Sequence, residues 1–357
     1  MKITVFGAGA VGGHLAVRLA QGGAAVSVIA RGAQLAAIAT SGLTVEASDG
    51  IFSAHPRASH DPRDLGPQDM VLVTVKAPAL PSVAAVIAPL LGPETAVAFV
   101  MNGIPWWYFH GAGGAREGKR LPAIDPGDGM WRAVGPERAI GGVIYSACTV
   151  VRPGVIAVEN RRSRLILGEP DGRLSRRAEA LAALLRAEGM MVEVTPVIRD
   201  AIWSKLLLNL TSGPFSILTG LAPREIYTEP GCVAASARIL AEGQAIATAL
   251  GCQTHIDAEA QVRQYLAMSH KPSILQDLEL GRAMEITALL ETPLDLARLA
   301  GIATPTLDLL VALVKLRAQA AGLYGKAGYT SRHHSNRKID SEFVSEDHNH
   351  QKLGNQP

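Results

Sequence analysis

Short apolar runs separated by glycine and by helix-period segments fill the first half of the chain. Residues 3–6, 25–29, 70–75, 96–101, 140–145, 155–158, 165–168 and 191–194 are brief and rich in β-branched residues, so each predicts a strand. Between them, Val11, Leu15 and Leu19 recur at helical spacing and Gly22-Gly23 stops the pattern. Residues 81–91 and 174–188 also read as helices, and Pro153-Gly154 marks a hairpin. After Pro196 the period changes. Residues 198–321 read as helix after helix, with segments expected at 233–250, 258–268, 278–300 and 304–321. The pattern therefore predicts an α/β domain over 1–195 followed by an all-α domain over 196–324. Residues 325–357 have no helical period and are rich in polar side chains, so they read as a disordered tail. Four histidines in that tail, His333, His334, His348 and His350, fit a solvated segment better than a metal site.

Composition narrows the class. A chain of 357 residues suggests roughly two domains of about 100–200 residues each. With 48% hydrophobic and 18% charged residues a large core can form, and a net charge of +2 gives no reason to expect nucleic acid or an anionic membrane as partner. Cys148, Cys232 and Cys252 are odd in number and lack metal-ligand spacing, which suits a reducing compartment and calls for no metal. No secretory leader is read before the first strand, and the apolar stretch at 80–91 is broken by prolines and shorter than the ~20 residues of a membrane span. A cytoplasmic location is expected.

Candidate chemistry begins at the first strand–helix junction. Gly7-Ala8-Gly9-Ala10-Val11-Gly12 is G-x-G-x-x-G after a strand and at the opening of a helix, with a second strand beyond. The first glycine permits a tight turn, the second lets a pyrophosphate approach, and the third lets helix and strand pack closely. The free N–H groups of the helix start suit the phosphates. A Rossmann-type nucleotide-binding domain follows from this context. Where NAD sites carry an acidic residue for the ribose hydroxyls, this chain has Arg31, whose guanidinium suits a 2′-phosphate and favours NADPH/NADP over NAD; an ordinary exposed turn arginine is the alternative. Lys76 and Asn102 follow two successive strands, at the sheet edge where ligands bind in such folds. Lys76 taken singly reads equally well as a solvated loop lysine. An insert at about 104–137 opens with Trp106, Trp107, Tyr108 and Phe109 and reads either as a wall beside the nicotinamide or as a small core or subunit contact.

In the helical half, Lys205 and Asn209 are four apart and share a helix face among leucines. Desolvation there would draw the lysine pKa toward the working range of a proton donor, although a snorkelling lysine is the commoner outcome of such spacing. Ser273 with Gln276 has the form of a capping box, a structural role. Glu285 stands on an apolar stripe between Leu278 and Leu289, where a carboxylate needs a cation or a hydroxyl-bearing ligand.

The glycine motif, Val75-Lys76-Ala77, Asn102-Gly103, Trp203-Ser204-Lys205-Leu206 with Asn209, and Ser273-Ile274-Leu275-Gln276-Asp277 with Glu285 together resemble the ketopantoate reductase (2-dehydropantoate 2-reductase) family. The resemblance runs in order from residue 1 to about 321. It implies NADPH-dependent reduction of a small-molecule 2-oxo acid, 2-dehydropantoate, to pantoate on the route to pantothenate and coenzyme A. It implies further that Lys205 is the general acid and that Glu285 holds substrate and cofactor hydroxyls. Asn209 and Ser273 match substrate-binding positions, and Lys76 and Asn102 match cofactor contacts. Gly213 and Pro223 stand where the family carries substrate asparagines, and the aromatic insert is missing from its shorter members. A reductase of another 2-oxo acid, an opine-type dehydrogenase and a non-catalytic NADP(H) sensor are the alternatives. A homodimer is compatible with the sequence without being specified by it.

Overall fold

The computed structural model describes residues 1–160 and 162–325. The expected tail, apart from Gly325, lies outside the described residues. The first part is an α/β unit. Its strands are β1 (Lys2–Phe6), β2 (Ala25–Ile29), β3 (Leu43–Ala47), β4 (Gly50–Ala54), β5 (Arg57–Ser59), β6 (Gln68–Val73), β7 (Leu91–Val100), β8 (Ala139–Tyr145), β9 (Cys148–Arg152), β10 (Val155–Val158), β11 (Arg164–Gly168) and β12 (Met191–Val194). The helices among them are α1 (Ala10–Gln21), α2 (Gly32–Ser41), α3 (Leu80–Ala84), α4 (Gly129–Ala133) and α5 (Arg176–Ala187). Then come α6 (Ile198–Thr219), α7 (Pro223–Ile226), α8 (Pro230–Ala249), α9 (Ala258–Leu266), α10 (Ser273–Glu279), α11 (Thr292–Ala300) and α12 (Pro305–Ala320). The fold is thus the expected α/β part with a parallel sheet, then a helical part.

The main sheet has the order β12-β11-β8-β7-β6-β1-β2-β5, parallel throughout except for the β8–β11 pair. From β1 the chain builds outward through β2, then crosses to β6 on the other side. That reversal opens a crevice at the carboxyl ends of β1 and β6. Period-two alternation sorts the core onto the two sheet faces. Met70, Leu72, Ala96 and Ala98 face α1 and α5 in one cluster; Val71, Val73, Val97 and Phe99 join the insert and the helical half in the other.

Three expectations give way here. The apolar pattern predicts no strands over residues 43–59, yet β3 and β4 form a second sheet with β9 and β10 in the order β4-β3-β10-β9, and β5 edges the main sheet. Alternation in these runs is diluted by polar and small residues because the strands are short and partly exposed. The helix expected at 81–91 is only α3 and a 3₁₀ turn at Ala88–Leu90, after which β7 begins. The helix expected at 278–300 is broken. α10 ends at Glu279, Gly281 turns the chain with φ +62°, and helical structure resumes through a π-turn at Thr287–Glu291. Pro293, just beyond, cannot donate a backbone hydrogen bond, which suits the widened turn.

The aromatic insert packs into the main core rather than forming a core of its own. Trp106, Trp107, Tyr108 and Phe109 are all buried in the cluster that also holds Trp203 of α6. Trp203 Nε1 donates to Tyr108 Oη at 2.7 Å, and Arg199 of α6 donates to the carbonyls of Tyr108 (2.8 Å), Pro170 (2.7 Å) and His110 (2.6 Å). The insert thereby fastens the long helix α6 to the sheet. Tyr108→Phe would strand a buried indole N–H, and urea denaturation is expected to show a loss of about 1–3 kcal/mol.

Candidate active site

The glycine turn is built by contact as well as by conformation. Gly7 has φ +105°, and a Cβ there would lie 2.6 Å from Val75 Cγ1; at Gly12 it would lie 2.0 Å from the Gly7 carbonyl oxygen. Gly9 differs: nothing stands within 4 Å of its Cβ position, so bare backbone meets open space at the start of α1. Ala10 and Val11 open that helix, and Gly13 N–H makes its first backbone bond, to the Gly9 carbonyl at 2.7 Å. Phosphate groups fit such a cradle. Arg31 caps α2 at the end of β2 and is exposed.

The crevice side is organised by Glu285, only 5% exposed. Its Oε1 accepts from Ala77 N–H at 3.0 Å and its Oε2 from Asn102 Nδ2 at 3.4 Å, so one carboxylate grips the loops after β6 and β7. Burial raises its pKa, opposed by the Ala77 hydrogen bond, the Lys76 charge and Asn102. Lys76 is ion-paired with Asp277 of α10, whose carboxylate is buried. Gly103 N-terminal to the insert adjoins Ala288, and Ile104 N–H donates to the Ala288 carbonyl at 3.0 Å. The π-turn therefore seats the loop after β7 directly behind Glu285.

Lys205 lies in the middle of α6 and donates to the carbonyl of Ile144 on β8. Its amine is 5.5 Å from the centre of the Tyr145 ring. Burial lowers its pKa from 10.5 to about 8, with the charge of Glu285 pulling the other way. Asn209 follows one turn later, half-buried.

The expected site residues thus fall into two groups. Asn102 and Glu285 meet directly through a hydrogen bond, and Lys76, paired with Asp277, and Lys205 are close enough for their charges to act on or feel that of Glu285. The glycine turn joins them through Val75, which touches Gly7 and precedes Lys76. Ser273 is not in a capping box: Pro272 precedes α10, no side-chain cap is made, and Gln276 Nε2 instead donates to the Lys271 carbonyl at 2.9 Å. The Ser273 side chain is left exposed. Gly213 is buried on α6 with Ile274 Cγ2 3.4 Å from its Cβ position, and Pro223 is buried at the start of α7. Sequence reasoning missed the partnership of Asp277 with Lys76, the Ala77 N–H and the Ile144 carbonyl. Asp277 was visible inside the serine motif, but backbone donors and acceptors carry no sequence signal.

A crevice at a sheet reversal, a glycine turn with open backbone, and a desolvated amine within the field of a buried carboxylate fit the class of two-part, nucleotide-binding oxidoreductases. Residues 3–110 match the family described as Ketopantoate reductase PanE/ApbA, and residues 197–318 match its C-terminal counterpart. A 2-dehydropantoate 2-reductase of Mesorhizobium japonicum is 44% identical over 328 residues, 91% of this chain and 100% of the relative. A crystal structure of 2-dehydropantoate 2-reductase from Geobacter metallireducens GS-15 has 29% identity and a TM-score of 0.78 over 88% of this chain and 99% of its own. A D-mandelate dehydrogenase solved with NADH and anilino(oxo)acetate shares the fold at 20% identity, with a TM-score of 0.75 over 90% of this chain and 100% of its own. The chain belongs to the ketopantoate reductase PanE/ApbA family, a family of oxidoreductases.

The lowered Lys205 pKa has a consequence for stability. Between about pH 8 and 10.5 the unfolded chain holds a proton at this lysine that the folded chain has released. Folding is therefore favoured increasingly as pH rises through that window. Lys205→Met removes the desolvated cation, and thermal melts at pH 7 and pH 9.5 are expected to show a stabilised variant whose advantage shrinks at the higher pH.

Proposed function

We propose that this chain is an NADPH-dependent 2-dehydropantoate 2-reductase, with Lys205 as general acid. The observation that carries the reading is the desolvated amine of Lys205 within the field of Glu285, whose carboxylate holds both loops at the sheet's carboxyl edge. NADPH, when bound, supplies the hydride that reduces the ketone carbon. The chain's residues do the rest. The opening of α1 at Gly9 would receive the pyrophosphate, and Arg31 would receive the 2′-phosphate. Asn102, Lys76 and Glu285 would hold the nicotinamide side, and Glu285 would also accept from a substrate hydroxyl. Asn209 and Ser273 hold the 2-oxo acid. Lys205 gives its proton to the oxygen that becomes the alcohol, and its position on a packed helix makes that donor pre-oriented.

A second reading is supported by Gly213, whose missing side chain leaves Ile274 as its nearest neighbour where the resemblance implies an amide. Losing one amide contact can redirect selectivity among 2-oxo acids. NADPH oxidation across a panel of 2-oxo acids separates the readings: fastest turnover with 2-dehydropantoate supports the first, faster turnover with another member supports the second, and none overturns both.

Lys205→Ala is expected to lower kcat by about 10²–10⁴ while NADPH binding changes little. The wild-type rate should fall as pH rises above about 8, where the amine loses its proton. Arg31→Asp should raise the NADH/NADPH ratio of kcat/KM, since it removes the 2′-phosphate partner and supplies a ribose acceptor.

A further inference from the structure

Gln34 lies on α2, three residues past Arg31, and has no part in the assignment above. Its side-chain amide joins two separate elements. Nε2 donates to the Ala8 carbonyl of the glycine turn at 2.7 Å, and Oε1 accepts from Gly154 N–H at 3.0 Å. These partners leave the amide one orientation, because a carbonyl needs a donor and an N–H needs an acceptor. Gly154 sits in the hairpin between β9 and β10, and its own carbonyl accepts from Thr44 N–H on β3 at 2.8 Å. One side chain thus ties the glycine turn to the second sheet.

The tie acts on a single peptide unit. At the other end of the Ala8–Gly9 peptide, Gly9 N–H donates to the Gly7 carbonyl at 2.8 Å. Glycine at position 9 makes rotation of this peptide sterically cheap. A rotated peptide would present the negative end of the Ala8 carbonyl to the space over Gly9, where a phosphate would be repelled. We propose that Gln34 is a positioning residue for the dinucleotide pyrophosphate: it holds the Ala8 carbonyl back and anchors the turn on the β9–β10 hairpin. The proposal rests on the reductase reading only in taking the ligand to be a dinucleotide.

The test is NADPH binding by fluorescence titration, with melting of the unliganded protein alongside. Gln34→Met keeps the length of the side chain and removes both hydrogen bonds. Its Kd for NADPH should rise about five- to tenfold, the effect expected from releasing the one bond that holds the Ala8 carbonyl back. Its kcat at saturating NADPH should stay within about twofold, because the reacting end of the cofactor is untouched. Gln34→Lys keeps a donor for Ala8 and should bind NADPH nearly as well as the wild type. An unchanged Kd in a folded Gln34→Met protein overturns the proposal, as does Gln34→Lys weakening binding as much as Gln34→Met. If Gln34→Met does not fold, Gln34→Lys is set against Gln34→Glu, which keeps the acceptor and loses the donor; equal affinities overturn the proposal. A wild-type chain that binds neither NADPH nor NADH overturns the reductase reading and this inference together.

Discussion

The structure turns on a buried carboxylate that, among the described residues, has no cation in direct contact. Glu285 is desolvated, and its oxygens are met by a backbone N–H after β6 and a side-chain amide after β7. A buried carboxylate left without partners would cost several kcal/mol, so the helical part has to bring Glu285 to the sheet edge. The Lys76–Asp277 pair lies alongside and joins the same two elements by charge. Together these contacts place the helical part against the carboxyl ends of β6 and β7. The cleft chemistry follows from that placement.

Rigidity behind the cleft comes from aromatic packing. Trp106, Trp107, Tyr108 and Phe109 fill the space between sheet and α6, and Arg199 gathers three carbonyls around the same junction. α6 carries Lys205, so its fastening decides where the amine sits. The amine ends beside the Ile144 carbonyl of β8, held by helix on one side and sheet on the other. A long lysine side chain on a loosely attached helix would reach water and keep its ordinary pKa.

The second sheet has a similar supporting role at the opposite end of the crevice. Its hairpin at Gly154 meets Gln34, and Gln34 meets the glycine turn. His14 of α1 adds a further tie, since its Nδ1 lies 3.3 Å from Ser146 Oγ in the loop that follows β8. The glycine-turn end and the Lys205 end of the crevice are therefore braced from separate parts of the chain.

Local pattern by itself determined the α/β-then-helical order, the glycine turn, and Lys76, Asn102, Lys205 and Glu285 as candidates. Those features depend on periodicity and on residue types whose chemistry is local. The run at 278–300 shows the limit: its apolar spacing is helical, yet the chain breaks at Gly281 so that Glu285 can reach Ala77 and Asn102. Strands β3 and β4 leave little trace in the sequence because short, half-exposed strands carry little alternation and gain stability from partners distant in sequence. Only the tertiary structure decided that Asp277 pairs with Lys76, that Ser273 is free of a cap, and that the insert is core. Each of these rests on long-range contacts and desolvation, which no stretch of residues contains until the chain has folded around it.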